Sequence, residues 1–425
     1  MKVLIIGGGR FEHPISRKLL ENATISQLYF APDKGGTAQI GTNIPLGHPK
    51  SLCTFTKTQA TELTILGSET LLAEGIIDTF QVARLKIFSP QHQVAQLEST
   101  KVLAKAFMKK YGVRRATYES FSDHTQKLNH LKQVDYPVII KTSGLAAGKR
   151  VIIASDHTEA QTTLEAMMEK NIFGTAGYEV VIKTFLQGYE PSVLSIFNGK
   201  QIIPFLSAKD HKKIGGGETG LNIGGMGVIT PIPYMNKEPW EDFQKNILQL
   251  TLQGLLAEKW NFSGMIFFGL MLTKKGVYFL EYNLRMVDPQ SQAILLLMES
   301  DFLELIQKAL RGEDLSISWR QAYACCVVMA SGGYHEKYKK GKTLSGLDLL
   351  TCPYYISEAE KKDNQWITSG GRALNLISNR SLCARSPAVG LSRSRKNLLQ
   401  SSLFPTRYRA FPLYYSMNLP TLLLL

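Results

Sequence analysis

Residues 207–231 read SAKDHKKIGGGETGLNIGGMGVITP, a glycine-rich run headed by Asp210, His211, Lys212 and Lys213. Glycine gives up more backbone freedom than any other residue in a helix or strand, so the run is expected to be a loop. In such a loop, bare N–H groups can crowd against an anionic ligand with the lysines beside it. The flanks at 201–206 and 228–230 are apolar and strand-like, which argues against a flexible linker. Residues 141–149, KTSGLAAGK, lie between strand-like runs at 137–141 and 151–154. They read as a hairpin flap over phosphates. A P-loop would need GxxxxGK[ST] ahead of a helix. Residues 280–292, LEYNLRMVDPQSQ, place Glu281 and Asn283 two apart at a strand end, so both side chains point the same way. A carboxylate and an amide oxygen so placed can hold Mg²⁺, which completes its shell with water and nucleotide phosphates. Arg285 reaches the same side if the chain stays extended.

Outward from these stretches, short apolar strands at 3–6, 27–30, 63–66 and 85–88 alternate with helical spacers, and a polar turn follows each of the last three. That alternation predicts a parallel, doubly wound sheet with ligands at the carboxyl ends of its strands. Single helices are expected over 15–22, 95–111, 158–170, 238–260 and 294–310, and hairpins over 193–206 and 265–282. Lys101 and Lys105 fall on the second helix.

At 425 residues the chain exceeds one compact core, so several domains are expected. No apolar run reaches the ~18 residues of a membrane span, and the start MKVLIIGGG lacks a signal peptide's pattern. Cys53, Cys325, Cys326, Cys352 and Cys383 form neither CxxC nor metal spacing, which fits a reducing cytoplasm. The net charge of +14 falls to +7 without residues 379–425, which hold no acid. No basic stripe with interleaved aromatics remains, so neither nucleic acid nor membrane is expected as a partner. That tail, rich in Ser, Arg, Leu and Pro, follows neither helical nor strand periodicity.

KTSGLAAGK, FLQGYEPS (185–192), the 207–231 run and EYNLRMVDPQSQ occur in this order and spacing, together with IIGGGRFEH, PDKGGTA and QLESTK. Over about residues 1–377 the chain resembles the phosphoribosylamine–glycine ligases, which are ATP-grasp enzymes of purine synthesis. The resemblance implies an α/β protein with an α+β ATP-grasp core. An N-terminal doubly wound domain would span 1–101. The ATP-grasp unit would span 102–320, with a lid near 116–187 and a core near 188–320. A truncated C-terminal domain at 321–377 would be followed by an aberrant, poorly ordered tail at 378–425, for which a frameshift near Ile377 is one explanation.

The resemblance also implies a reaction. ATP, glycine and 5-phosphoribosylamine would give glycinamide ribonucleotide, ADP and phosphate through a glycyl phosphate, in a cytoplasmic monomer using Mg²⁺ or Mn²⁺. It places Lys101, Lys141, the flap Gly144, Leu145, Ala146, Ala147, Gly148 and Lys149, and Glu190 at ATP. Glu281 and Asn283 would hold the metal. Arg285, Lys212 and Asp210 would be catalytic. Glu12, His13, Gly36, Thr37, Glu69, Gly224, Gly225, Met226, Gly227 and Asp288 would face substrate. The chain departs from the family at Arg10 and Phe11, where the family reads Gly-Arg, and at Ser68, Ser143, Arg150, Lys183, Thr184, Met286, Val287 and Gln290. Bulk at a tight turn and a displaced guanidinium both alter a phosphate site. Two other readings stay open. One is a relative that binds ATP but has lost the reaction, and the other is a ligase joining a different acid and amine.

Overall fold

The computed structural model describes residues 1–381 apart from 9, 33–34, 117, 122–123, 143–150, 169–179, 216–218 and 351. Its first unit is the expected parallel sheet: β1 (Lys2–Ile6), β2 (Gln27–Ala31), β3 (Thr42–Asn43), β4 (Leu63–Leu66) and β5 (Ile87–Phe88), in the order β3-β2-β1-β4-β5. Every pairing in it is parallel. Helices cover this sheet on both faces, because β1 is apolar at every position from Val3 to Ile6 and buried throughout that run. A four-stranded antiparallel sheet follows, built from β6 (Tyr118–Phe121), β7 (Val138–Thr142), β8 (Val151–Ala154) and β9 (Val180–Thr184), in the order β6-β9-β7-β8. Lys141 lies opposite Val151 in the β7–β8 hairpin. The flap 144–149 lies outside the described residues.

The central strands are β10 (Pro191–Phe197), β11 (Ile202–Asp210), β12 (Lys213–Gly215), β13 (Thr219–Asn222), β14 (Gly227–Thr230), β15 (Gly264–Thr273) and β16 (Gly276–Asn283). The C-terminal strands are β17 (Ala322–Ala330), β18 (Thr343–Leu344), β19 (Tyr354–Ile356), β20 (Ala359–Lys362), β21 (Gln365–Thr368) and β22 (Arg372–Ser381). Strands β18, β21 and β20 pair as a small sheet of their own, whereas β17, β22 and β19 join the central strands. One eight-stranded sheet runs β16-β15-β10-β11-β14-β17-β22-β19. A single buried cluster takes Val3 and Ile5 from the first unit, Phe205 and Ile294 from the middle, and Cys326 and Ile377 from the last.

The glycine-rich run is not the irregular loop expected. It continues β11 to Asp210, forms the β12–β13 hairpin with Lys213 opposite Asn222, and closes on β14. The entropy cost of glycine is offset here because both sides of the hairpin supply ladder partners to each other. Helix extents also differ. The stretch 95–111 breaks at Thr100, whose φ/ψ of −116°/96° is extended, into His92–Ser99 and Lys101–Lys110. The stretch 294–310 divides into Gln290–Leu297 and Phe302–Arg311, the second capped by Asp301 accepting from the Glu304 N–H at 3.0 Å. The helix expected at 238–260 runs Lys237–Phe243, a π turn Gln244–Leu248, and Gln249–Ala257. The last strand continues to Ser381, past the change of composition at Ile377.

Candidate active site

Three strand ends assemble the centre. On β10, Pro191 lies opposite Lys209 of β11, and Ser192 lies opposite Gly269 of β15, which itself faces Glu281 of β16. Glu190 precedes β10 and Lys212 follows β11, so these two and Glu281 leave the sheet side by side. Lys212 Nζ stands 3.8 Å from Glu190 Oε2 and 4.0 Å from Glu281 Oε1. Position 188 has to be glycine. The Tyr189 N–H donates to the Leu272 carbonyl at 3.0 Å, and a Cβ on Gly188 would strike that carbonyl. An ammonium between two half-exposed carboxylates suits a site where phosphates and a cation displace part of these contacts.

Along β16, Glu281 is exposed, Tyr282 buried and Asn283 half-buried, as strand alternation requires. The Asn283 amide nitrogen lies 3.2 Å from the Tyr282 carbonyl and 3.3 Å from Glu98 Oε1 in the orientation that satisfies its neighbours. Its oxygen is then turned the opposite way. Among the described residues no three His, Cys, Asp or Glu groups form a metal cage. One carboxylate and one amide oxygen fit a hard cation that keeps most of its shell from water and phosphate.

Arg285 is not carried by that alternation, because β16 ends at Asn283 and the chain bends. Its Nη2 pairs with Glu98 Oε1 at 3.1 Å and its Nη1 donates to the Met286 carbonyl at 3.2 Å. Glu98 also accepts from the Leu284 N–H at 2.6 Å. Sequence reasoning marked the QLESTK segment but not Glu98 within it. No local signal ties a helix carboxylate to a turn almost two hundred positions on.

Asp210 ends β11. Its Oδ1 is buried without a hydrogen-bond partner and lies against Gly225. Burial, above all, pushes its carboxyl up to about 7. Lys212 and Arg372 pull it down, while Asp288 and Glu190 push it further up. Asp288 Oδ1 accepts from Gln292 Nε2 at 2.6 Å and Asn375 Nδ2 at 3.2 Å, and its Oδ2 stands 3.1 Å from Arg372 Nη1. Arg372 Nη1 also donates to the Gly225 carbonyl at 3.2 Å. A Cβ on Gly224 would strike the Arg372 guanidinium, and one on Gly225 the Asp210 carboxylate. These glycines therefore make room for protein side chains. Main-chain bonds hold the turn: Met226 N–H to the His211 carbonyl at 3.0 Å, and His211 N–H to the Gly227 carbonyl at 2.9 Å.

The expected substrate residues of the first unit sit deeper. Glu12, His13 and Thr37 are at most 1% exposed. Glu12 fills the space that a Cβ on Gly7 or Gly67 would need. His13 packs edge-on against Tyr355 at 5.3 Å, and a Cβ on Gly36 would strike both His13 and Ile356. Burial and then Arg17 lower the His13 pKa to about 4, so its ring is neutral at pH 7. Thr37 Oγ1 donates to Asn43 Oδ1 at 3.1 Å. The structure thus places these residues at the seam between the first and last units. Ser68 caps the short helix Glu69–Ala73, accepting from the Leu71 N–H at 3.3 Å. The side chains of Glu69, Lys101 and Lys141, and all of residues 144–149, lie outside what is described.

Three family models match in order. They are the N domain of phosphoribosylglycinamide synthetase over residues 1–98, its ATP-grasp (A) domain over 99–291 and its C domain over 324–386. The phosphoribosylamine–glycine ligase of Fusobacterium nucleatum is 45% identical over 96% of this chain and 97% of its own. That of Clostridium acetobutylicum is 44% identical over 88% and 91%. The Fusobacterium alignment is long enough to run past residue 381 into the tail. Among solved structures, the ligase of Thermotoga maritima superposes with a TM-score of 0.72 at 29% identity, covering 89% of this chain and 93% of its own. A biotin carboxylase domain of a thermophilic 2-oxoglutarate carboxylase shares the fold, with a TM-score of 0.66 at 15% identity.

Proposed function

The chain belongs to the phosphoribosylglycinamide synthetase family, and from that premise we infer how its own residues perform the family's reaction. The enzyme is a carbon–nitrogen ligase of purine biosynthesis: ATP, glycine and 5-phosphoribosylamine give glycinamide ribonucleotide, ADP and phosphate. The observation that supports the site assignment is Lys212 standing between Glu190 and Glu281 at 3.8 and 4.0 Å.

On this reading a glycine carboxylate oxygen attacks the γ-phosphorus of ATP, the bond to ADP breaks, and glycyl phosphate forms. The amine nitrogen of phosphoribosylamine then attacks the glycyl carbonyl carbon, the C–O bond to phosphate breaks, and the nitrogen gives up a proton. We assign that proton to Asp210, whose carboxyl is held near neutrality. Lys212 neutralises charge on the transferred phosphoryl group, and Glu190 meets the ribose hydroxyls. Arg285, steadied by Glu98, stabilises developing phosphate charge. Lys101, Lys141 and the flap 144–149 hold the ATP phosphates. Glu281 and Asn283 would hold Mg²⁺ or Mn²⁺, which when bound neutralises the phosphate oxygens. Asp288 and the turn Gly224, Gly225, Met226 and Gly227 line the phosphoribosylamine side, with Glu12, His13, Gly36, Thr37 and Glu69 behind them.

No described helix is long and apolar enough to cross a membrane. Cys53, Cys325, Cys326 and Cys352 are free, and we propose the cytoplasm as the compartment and a monomer as the working unit. The test is ADP release by the purified protein with Mg²⁺, glycine and freshly generated phosphoribosylamine, omitting each in turn. Dependence on all of them is expected. ATP binding without turnover would instead identify a relative that has lost the chemistry.

A further inference from the structure

A closed ring of polar contacts draws one residue or more from each of the three family regions. Arg10, after β1, gives both Nε (3.2 Å) and Nη2 to Glu358 Oε1. Glu358 Oε2 accepts from the Arg372 N–H at 2.9 Å. Arg372 Nη1 faces Asp288 Oδ2 at 3.1 Å. Asp288 Oδ1 accepts from Gln292 Nε2 at 2.6 Å, and the same nitrogen lies 3.0 Å from the Arg10 carbonyl, which closes the ring. The Arg372–Asp288 side is at most 8% exposed, whereas the Arg10–Glu358 side is 47% and 22% exposed.

An isolated ion pair with that exposure would contribute little. This one is a link in a ring whose other members are buried. Glu358 gives one oxygen to the Arg10 guanidinium and the other to the Arg372 main-chain N–H, so losing Arg10 removes the outer anchor of the carboxylate that holds the Arg372 backbone. Burial raises the Glu358 pKa, yet the Arg372 amide and Arg10 together bring it below the ordinary value. Arg372 is also the group that grips the Gly225 carbonyl and fills the space over Gly224.

We propose that Arg10 and Glu358 form a positioning clasp: through Arg372 they set the turn 224–227 and Asp288, and so tune capture of phosphoribosylamine. Arg10 stands where the resemblance leads one to expect glycine. The proposal rests on the reading of that side of the cleft as the phosphoribosylamine side.

The test is steady-state kinetics of R10Q, E358Q, their double variant and R10K, each checked for an unchanged unfolding temperature. R10Q and E358Q are expected to raise the KM for phosphoribosylamine about tenfold, with the KM for ATP within about twofold. The double variant should be no worse than either single one, and R10K should restore part of the loss. Equal rises for every substrate, additive losses or unchanged kinetics would overturn the clasp. Hydrogen exchange tests the coupling without turnover. Faster exchange at the His211 and Met226 amides in R10Q and E358Q, with β15 unchanged, is expected, and unaltered exchange would overturn it. A wild type that turns over no substrate would count against the ligase reading, while exchange would still decide the clasp.

Discussion

Asp210 shows how one residue couples site and stability. Its folded carboxyl titrates at about 7, above its ordinary value of 3.8. Between those values the folded state holds more proton than the unfolded one, so Asp210 makes stability fall as pH rises through that window and level off beyond it. D210N cannot titrate and should lose this slope. Denaturant unfolding at pH 5 and pH 8 should show the variant gaining on the wild type at the higher pH. The same variant should lose the acid limb near pH 7 from the kcat/KM profile, and an unshifted limb would rule out Asp210 as proton acceptor. Glu98 is the other decisive side chain. E98A removes one ion-pair partner of the half-buried Arg285 and the acceptor of the Leu284 N–H, so it should cost about 1–3 kcal/mol in unfolding free energy. It should also lower turnover more than ATP affinity, as isothermal titration and steady-state kinetics would show.

At the scale of elements, strand order brings the candidate site residues together. The order β16-β15-β10-β11 sets Glu190, Lys212 and Glu281 side by side. K212A should therefore lower kcat at least about 100-fold while the protein stays folded by circular dichroism. K141A, at the foot of the β7–β8 hairpin, should abolish ATP turnover, and full retained activity would overturn its assignment. The glycine-rich run, expected as a loop, is built largely of strands. Its glycines announced close approach, but their partners, Asp210 and Arg372, lie in different elements.

For the whole molecule, β17 and β22 extend the sheet that carries the site, and one apolar cluster crosses all three family regions. While β18, β20 and β21 stand beside it as a small sheet, strands β17, β22 and β19 therefore share one sheet with the candidate site. Ser381 pairs with Ala322 at the end of that sheet. Removing residues 382–425 should leave ATP binding intact and shift the unfolding temperature by less than about 3 °C. A soluble truncation that no longer binds ATP would show that the tail contributes to the fold.

By itself the sequence determined the parallel N-terminal sheet, the order of the central hairpins and the placement of Glu281 and Asn283 on one side of a strand. Those features follow from local periodicity and spacing, which one stretch of chain carries alone. Only the tertiary structure decided that Arg285 answers to Glu98, that glycines 224 and 225 accommodate Arg372 and Asp210, and that Arg10 closes a ring through Glu358. All but the Gly225–Asp210 approach are contacts between residues far apart in the chain. Their partners are chosen by strand order and burial, and neither is written at any one position.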